Sequence, residues 1–164
     1  MELIMLKPTP FPKNQISDKL EKHKILINQY AEIFFAHPAF STENTSEMAI
    51  IIASLREIGL ENGATLKEIF RHIEKYDFKP CQPNTGLFLR FAWENQPKSK
   101  NSILSGMHCS PDQAVVVLSE QIEADDVFPK GLYLRNVDDS LWLRGYVCNS
   151  NYRFSGNDLF AFKK

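Results

Sequence analysis

The stretch Leu132-Tyr133-Leu134-Arg135-Asn136-Val137-Asp138-Asp139-Ser140-Leu141-Trp142-Leu143-Arg144-Gly145-Tyr146-Val147 decides how this chain reads. Successive side chains on a strand point to opposite faces. Leu134 and Leu143 therefore turn one way, while Tyr133, Arg135, Trp142, Arg144 and Tyr146 turn the other. Asp138-Asp139-Ser140 has the composition of a short hairpin loop, which makes Leu132 to Val137 and Leu141 to Val147 antiparallel neighbours.

One tripeptide, an aromatic residue followed by Leu and Arg, occurs in this stretch twice and once upstream, as Phe88-Leu89-Arg90, Tyr133-Leu134-Arg135 and Trp142-Leu143-Arg144. Strand alternation places the three leucines in a core. If the three segments share one sheet, its other face carries aromatics interleaved with guanidinium groups. Such a surface combines planar stacking with a fork of donors, which suits an anionic or planar ligand. The candidate ligand- or partner-binding residues are thus Phe88, Arg90, Tyr133, Arg135, Trp142, Arg144 and Tyr146. The competing reading is a stabilising ladder of cross-strand pairs, each contributing about 0.2–1 kcal/mol.

Outward from this stretch, the pattern changes near residue 80. Pro80, Pro83 and Gly86 rule out helix, and the apolar runs beyond them are short and bounded by turn residues. Strands are expected at Leu87 to Trp93, Ile103 to Met107, Ala114 to Leu118 and Leu159 to Phe162, besides the hairpin. Before residue 80 the spacing is helical. One helix is expected from Ser17 to about Phe35, ended by His37-Pro38, and a second carries Met48, Ile51, Ile52, Leu55 and Ile58, with Gly59 as its stop. A third opens on the capping box Thr65-Leu66-Lys67-Glu68 and buries Leu66, Ile69, Phe70 and Ile73. Pro8, Pro10 and Pro12 make residues 1–13 an extended lead-in.

The expected fold is α+β: an N-terminal three-helix region (14–79) packed on one face of a mostly antiparallel C-terminal sheet (80–164) of about five to six strands. The 164 residues fit a single domain, able to bury about two thirds of its unfolded surface.

Composition excludes several function classes. The formal net charge of −1 argues against a duplex-DNA binder, which gains affinity by neutralising phosphates. Cys81, Cys109 and Cys148 are an odd number at long spacings without a C-x-x-C pair, matching neither a disulfide framework nor a zinc ribbon. Reduced thiols in a cytoplasmic setting follow. Leu3 to Leu6 is too short for a signal-peptide core, and no stretch approaches the ~20 apolar residues of a membrane span. Without a secretory signal, the sequon Asn44-Thr45-Ser46 is taken as coincidental.

The chemistry-bearing residues give little else. Consecutive side chains diverge on an extended chain, so His108 does not serve Cys109 as a base, and no nucleophile motif surrounds any Ser or Cys. His23, His37, His72 and His108 lack metal-ligand spacing, and Asp125-Asp126 and Asp138-Asp139 read as turn formers rather than a calcium loop. The glycines form neither a dinucleotide nor a Walker loop. No metal or cofactor is expected. The leading functional reading is a small soluble binding or regulatory protein acting through a protein partner or an anionic ligand on the aromatic and Arg face. The alternatives are a hydrolase-like enzyme with a site near Arg90 to Gln96 and His108-Cys109, and a single-stranded nucleic-acid binder using the same face.

Overall fold

A computed structural model of the chain describes residues 1–100 and 110–164. The expected strand at Ile103 to Met107, and with it His108 and Cys109, lies outside the described residues. The fold is α+β, with four helices, a seven-stranded mixed sheet and a small two-stranded sheet among the described residues.

The hairpin forms as its alternation requires. Strands β6 (Gly131–Val137) and β7 (Ser140–Tyr146) pair antiparallel, with Leu134 opposite Leu143. Asp138 and Asp139 make the turn at φ 51° and 57°. Two left-handed residues match the right-handed twist of the flanking strands, and Asp is one of the few residues that tolerates that region.

Around the hairpin, β1 (Glu2–Leu6), β2 (Ile25–Ile27), β3 (Met48–Ser54), β5 (Val115–Val117) and β9 (Leu159–Lys163) complete the sheet in the order β1-β3-β9-β5-β6-β7-β2. The β2–β7 and β5–β9 pairs are parallel and the other four antiparallel. Strands β4 (Ala64–Thr65) and β8 (Arg153–Phe154) form the small sheet.

Helices cover both faces, rather than one as expected. On one face α1 (Ile16–Lys22), α2 (Gln29–Ala36) and α4 (Thr85–Ala92) bury Leu6, Ile50, Ile52, Val115, Val117, Leu132, Leu134 and Leu143. On the other, α3 (Leu66–Ile73) and the small sheet cover Ile51, Ala53, Val116, Leu118, Phe160 and Phe162. Leu89, Leu134 and Leu143 are fully buried, each contributing about 1.5–3 kcal/mol over an exposed position.

Four segments depart from the sequence reading, each for a physical reason. The lead-in contains an edge strand, β1, because only the residues after Leu6 carry the prolines. The expected helix at Ser17 to Phe35 is split: Lys24 turns left-handed at φ 54°, Ile25 to Ile27 join the sheet, and the Asn28 side chain caps α2 by accepting the Ala31 N–H. Met48–Ser54 is a central strand buried on both faces, so its apolar residues are continuous and mimic a helical spacing. Residues 85–92 form a helix rather than a strand. Leu87, Phe88, Leu89 and Arg90 are buried all round, which erases the amphipathic period. Gly86 marks a close approach rather than a turn, since a Cβ there would lie 3.0 Å from the Leu132 Cβ. The capping box at Thr65 and Glu68 forms as read.

Candidate binding face on the sheet

Register fixes the aromatic and Arg residues of the hairpin into two direct cross-strand pairs. Tyr133 lies opposite Arg144, and Arg135 opposite Trp142. The four side chains form a checkerboard on the face away from Leu134 and Leu143, as the alternation predicts. Tyr146 continues the row, its ring meeting Phe154 edge-on at 6.4 Å.

Phe88 and Arg90 do not belong to this face. Both lie on α4, across the sheet, where Phe88 packs edge-on against Phe11 at 5.7 Å. Arg90 is wholly buried. Its Nη1 donates to Gln96 Oε1 at 2.5 Å and its Nη2 to the Trp93 carbonyl. Gln96 in turn donates to the Leu134 and Gln113 carbonyls, and Asn136 Nδ2 donates to the Gln96 carbonyl at 2.8 Å. This network ties the chain after α4 to β6 where β5 has not yet begun. The polar residues from Arg90 to Gln96 that suggested an enzyme site are thus partly consumed by internal bonding. Burial pulls the Arg90 guanidinium down to about 10, against an opposing pull from Glu94.

The remaining face changes in exposure from strand to strand. On β6, Arg135 is 1% exposed and donates to Ser99 Oγ at 3.4 Å. Trp142 and Arg144, on β7, are half-buried. Leu26 on the outer strand β2 pairs with Trp142 and is 45% exposed. The surface is therefore closed at β6 and opens toward the β2 edge. Sequence reasoning missed Leu26 because β2 was read as helix; the β-branched pair Ile25 and Ile27 was the available signal.

Arg144 carries the chemistry at this opening. Its guanidinium carbon lies 4.9 Å from the Trp142 ring centroid, a cation–π distance. Among the described residues no carboxylate comes within ion-pair distance of it, and its Nε is buried without a partner. The Tyr133 phenol opposite is pushed up by burial and pulled back by Arg144 and Arg135. Burial also pushes the Tyr146 phenol up, so both rings stay neutral. At the hairpin end, Lys98 pairs with Asp139. The indole and the guanidinium are already in contact, so a planar or anionic group would be met by their exposed edges and not between them.

A separate polar cleft of about 330 Å³ lies between Ser41, Asn44, Gln82, Asn84, Glu120 and Gln121. The Asn84 amide is consumed by the Ser41 and Asn44 carbonyls. Beyond it, His37 Nδ1 accepts the Ala39 N–H, which leaves Nε2 to face Glu123 Oε1 at 2.9 Å. Among the described residues Glu120 is the one carboxylate lining this cleft, and no nucleophile with an adjacent base accompanies it there. Burial pushes the Cys81 thiol up to about 12, and Cys148 is also raised, so neither is a ready thiolate. Among the described residues no three His, Cys, Asp or Glu side chains gather as a metal site, and no helix is long and apolar enough to cross a membrane.

Comparison of the chain with protein-family models, with curated proteins and with solved structures finds no match.

Proposed function

We propose that this is a small binding or regulatory protein that holds an anionic ligand, or an acidic group of a protein partner, on the open part of the β6–β7–β2 face. The observation that carries the reading is Arg144 stacked at 4.9 Å on Trp142, with no carboxylate among the described residues within ion-pair distance of it. A half-buried cation without a counter-ion is costly to keep unless something else uses its charge. Trp142 and Leu26 supply the apolar contact beside it, and Tyr133 fixes the guanidinium from the neighbouring strand. The wholly buried Arg90 and the buried Arg135 serve the scaffold rather than the ligand. The free thiols Cys81 and Cys148 accord with a cytoplasmic setting.

The experiment is a thermal-shift and titration panel with pyrophosphate, a nucleoside monophosphate, an acidic peptide and a single-stranded oligonucleotide. Binding by at least one of the first three, lost in Arg144→Ala and weakened by salt, is the expected result. Tight binding by the oligonucleotide alone, with a steep salt dependence, would favour the nucleic-acid alternative. Binding that survives in Arg144→Ala would remove this face from the account.

A further inference from the structure

The polar cleft beside the start of α4 is built from two chain segments that separate after an isolated bridge. Cys81 and Ser119 pair in parallel: the Cys81 N–H donates to the Leu118 carbonyl at 2.7 Å, and the Glu120 N–H donates to the Cys81 carbonyl at 3.0 Å. Beyond the bridge, one segment runs through Gln82, Pro83 and Asn84 into α4, and the other continues through Glu120 to Ile122. Ala39, Ser41 and Asn44 supply the third side. The enclosed space of about 330 Å³ lies at the lower end of the range of small-molecule sites, roughly 300–1,000 Å³.

Asn84 sets the chemistry of this space. It is 5% exposed, and its Nδ2 donates to the Ser41 carbonyl at 2.8 Å and to the Asn44 carbonyl at 2.9 Å. Two carbonyls at one end of the amide identify that end as nitrogen, which fixes the place of the oxygen. Asn84 stands at the N-cap position of α4, yet its Oδ1 accepts no helix N–H, and no other donor reaches it among the described residues. With Nδ2 turned into the loop, Oδ1 is the polar atom that this side chain leaves to the cleft. Gln82 Oε1, in the same wall, is also buried without a partner. Acceptors buried without a donor are costly. On the second segment Glu120 adds a carboxylate that joins no ion pair among the described residues, and no Lys or Arg lines the cleft. Ala39, Pro83 and Ile122 give the walls their apolar part.

We infer that this cleft binds a primary alkylammonium group, that of a small amine or of a lysine side chain. An ammonium brings three donors, no acceptor and a positive charge. Its N–H groups are taken by Asn84 Oδ1 and the Glu120 carboxylate, and its charge favours the orphaned Gln82 Oε1 in the same wall. The alkyl chain lies against Ala39, Pro83 and Ile122. An anion would meet Glu120 with no cation to offset it, and a neutral alcohol would bring one donor to several acceptors. The site is separate from Trp142 and Arg144, because none of its lining residues belongs to β2, β6 or β7, and it selects the opposite charge.

The test is a titration of the full chain at pH 7 and constant ionic strength, followed through its backbone and side-chain amide signals by two-dimensional NMR. The probes are butylammonium, N-acetyl-lysine methylamide and butyltrimethylammonium, each from about 0.1 to about 50 mM. Butylammonium should give saturable shifts at Gln82, Asn84 and Glu120 with a Kd of about 1–10 mM, the scale set by so small a ligand. Glu120 is exposed, so Glu120→Gln keeps the fold and should weaken binding about fivefold. Butyltrimethylammonium keeps the charge and the chain but has no N–H, and should bind at least about tenfold more weakly than butylammonium. Tighter binding of the lysine derivative would assign the site to a peptide, and tighter binding of butylammonium to a free amine; either supports the inference. Shifts that are absent or unsaturable over the whole range, equal affinity in Glu120→Gln, or butyltrimethylammonium binding as tightly as butylammonium would overturn it.

Discussion

The side-chain amide of Asn28 completes the hydrogen bonding of Gly145: Nδ2 donates to the Gly145 carbonyl at 3.0 Å, and Oδ1 accepts the Gly145 N–H at 2.8 Å. Asn28 thereby extends the pairing of β2 with β7 by one residue, while the same Oδ1 caps α2 through the Ala31 N–H at 3.0 Å. One side chain positions both the strand that borders the candidate face and the helix behind it. Gly145 is required by the same contact, since a Cβ there would lie 2.5 Å from the Tyr30 carbonyl carbon.

Gly145→Ala should destabilise the protein by about 3 kcal/mol or more, because the clash is with backbone rather than with a flexible side-chain end. Asn28→Ala should cost about 1–3 kcal/mol, the loss of a cap together with a strand-like pair of bonds. Chemical denaturation of both variants checks this; a loss below ~0.5 kcal/mol for Gly145→Ala would show that α2 is not seated against β7 as described.

The two sides of the hairpin should respond differently to truncation. Leu143 is fully buried, so Leu143→Ala should cost about 2–5 kcal/mol through the cavity it leaves. Arg144→Ala should cost about 1 kcal/mol or less, the scale of a cation–π pair at a partly exposed site. Equal losses in denaturation would contradict the assignment of faces.

Arg90 is a scaffold residue, and its removal should act on the chain that follows α4. Arg90→Ala leaves Gln96 Oε1 and the Trp93 carbonyl without their donor in a buried place, at a cost of about 2–4 kcal/mol. Amide hydrogen exchange should quicken at Ser99, whose N–H donates to the Asn136 carbonyl at 2.7 Å. Unchanged exchange in the variant would break the proposed link between Arg90 and β6.

Two carboxylates should make stability sensitive to acid. The N-terminal ammonium beside Glu57, and the Thr65 backbone N–H donating to Glu68, hold both below the ordinary carboxylate value. Their folded values lie below their unfolded ones, so their contribution is complete above the unfolded value of about 4.3 and is lost as pH falls through the folded values. The denaturation midpoint should therefore decline from pH 6 toward pH 3 in the wild type and decline less in Glu57→Gln/Glu68→Gln. A wild-type profile flat over that range would refute the assignment.

The legibility of the sequence followed the strength of local signals. The hairpin was readable because alternation, a turn of two aspartates and burial on one side agreed. The capping box at Thr65 was readable because it is a local hydrogen-bond exchange. Met48–Ser54 and Thr85–Ala92 were not, because an element buried all round loses its period whether it is strand or helix, and only the neighbouring strands decide. That ambiguity explains the fate of the repeated tripeptide. In Tyr133-Leu134-Arg135 and Trp142-Leu143-Arg144 it marks one face of a sheet, whereas in Phe88-Leu89-Arg90 the same residue types sit on a buried helix across the sheet. Leu26 could not be placed beside Trp142 without knowing that β2 pairs parallel to β7, a contact more than a hundred residues apart in the chain.

The central claim is that the surface around Trp142 is open and attracts anions. The chain has two tryptophans, and Trp93 is buried, so Trp93→Phe leaves Trp142 as the sole indole reporter. Fluorescence quenching of that variant by iodide and by caesium, at equal ionic strength, reads both access and the sign of the local field. The account predicts quenching by iodide at least about twofold stronger than by caesium, with the difference collapsing in Trp93→Phe/Arg144→Gln, as expected if the Arg144 charge beside the indole sets the local field. Quenching that is weak for both ions, or equal for both with Arg144 in place, would contradict it.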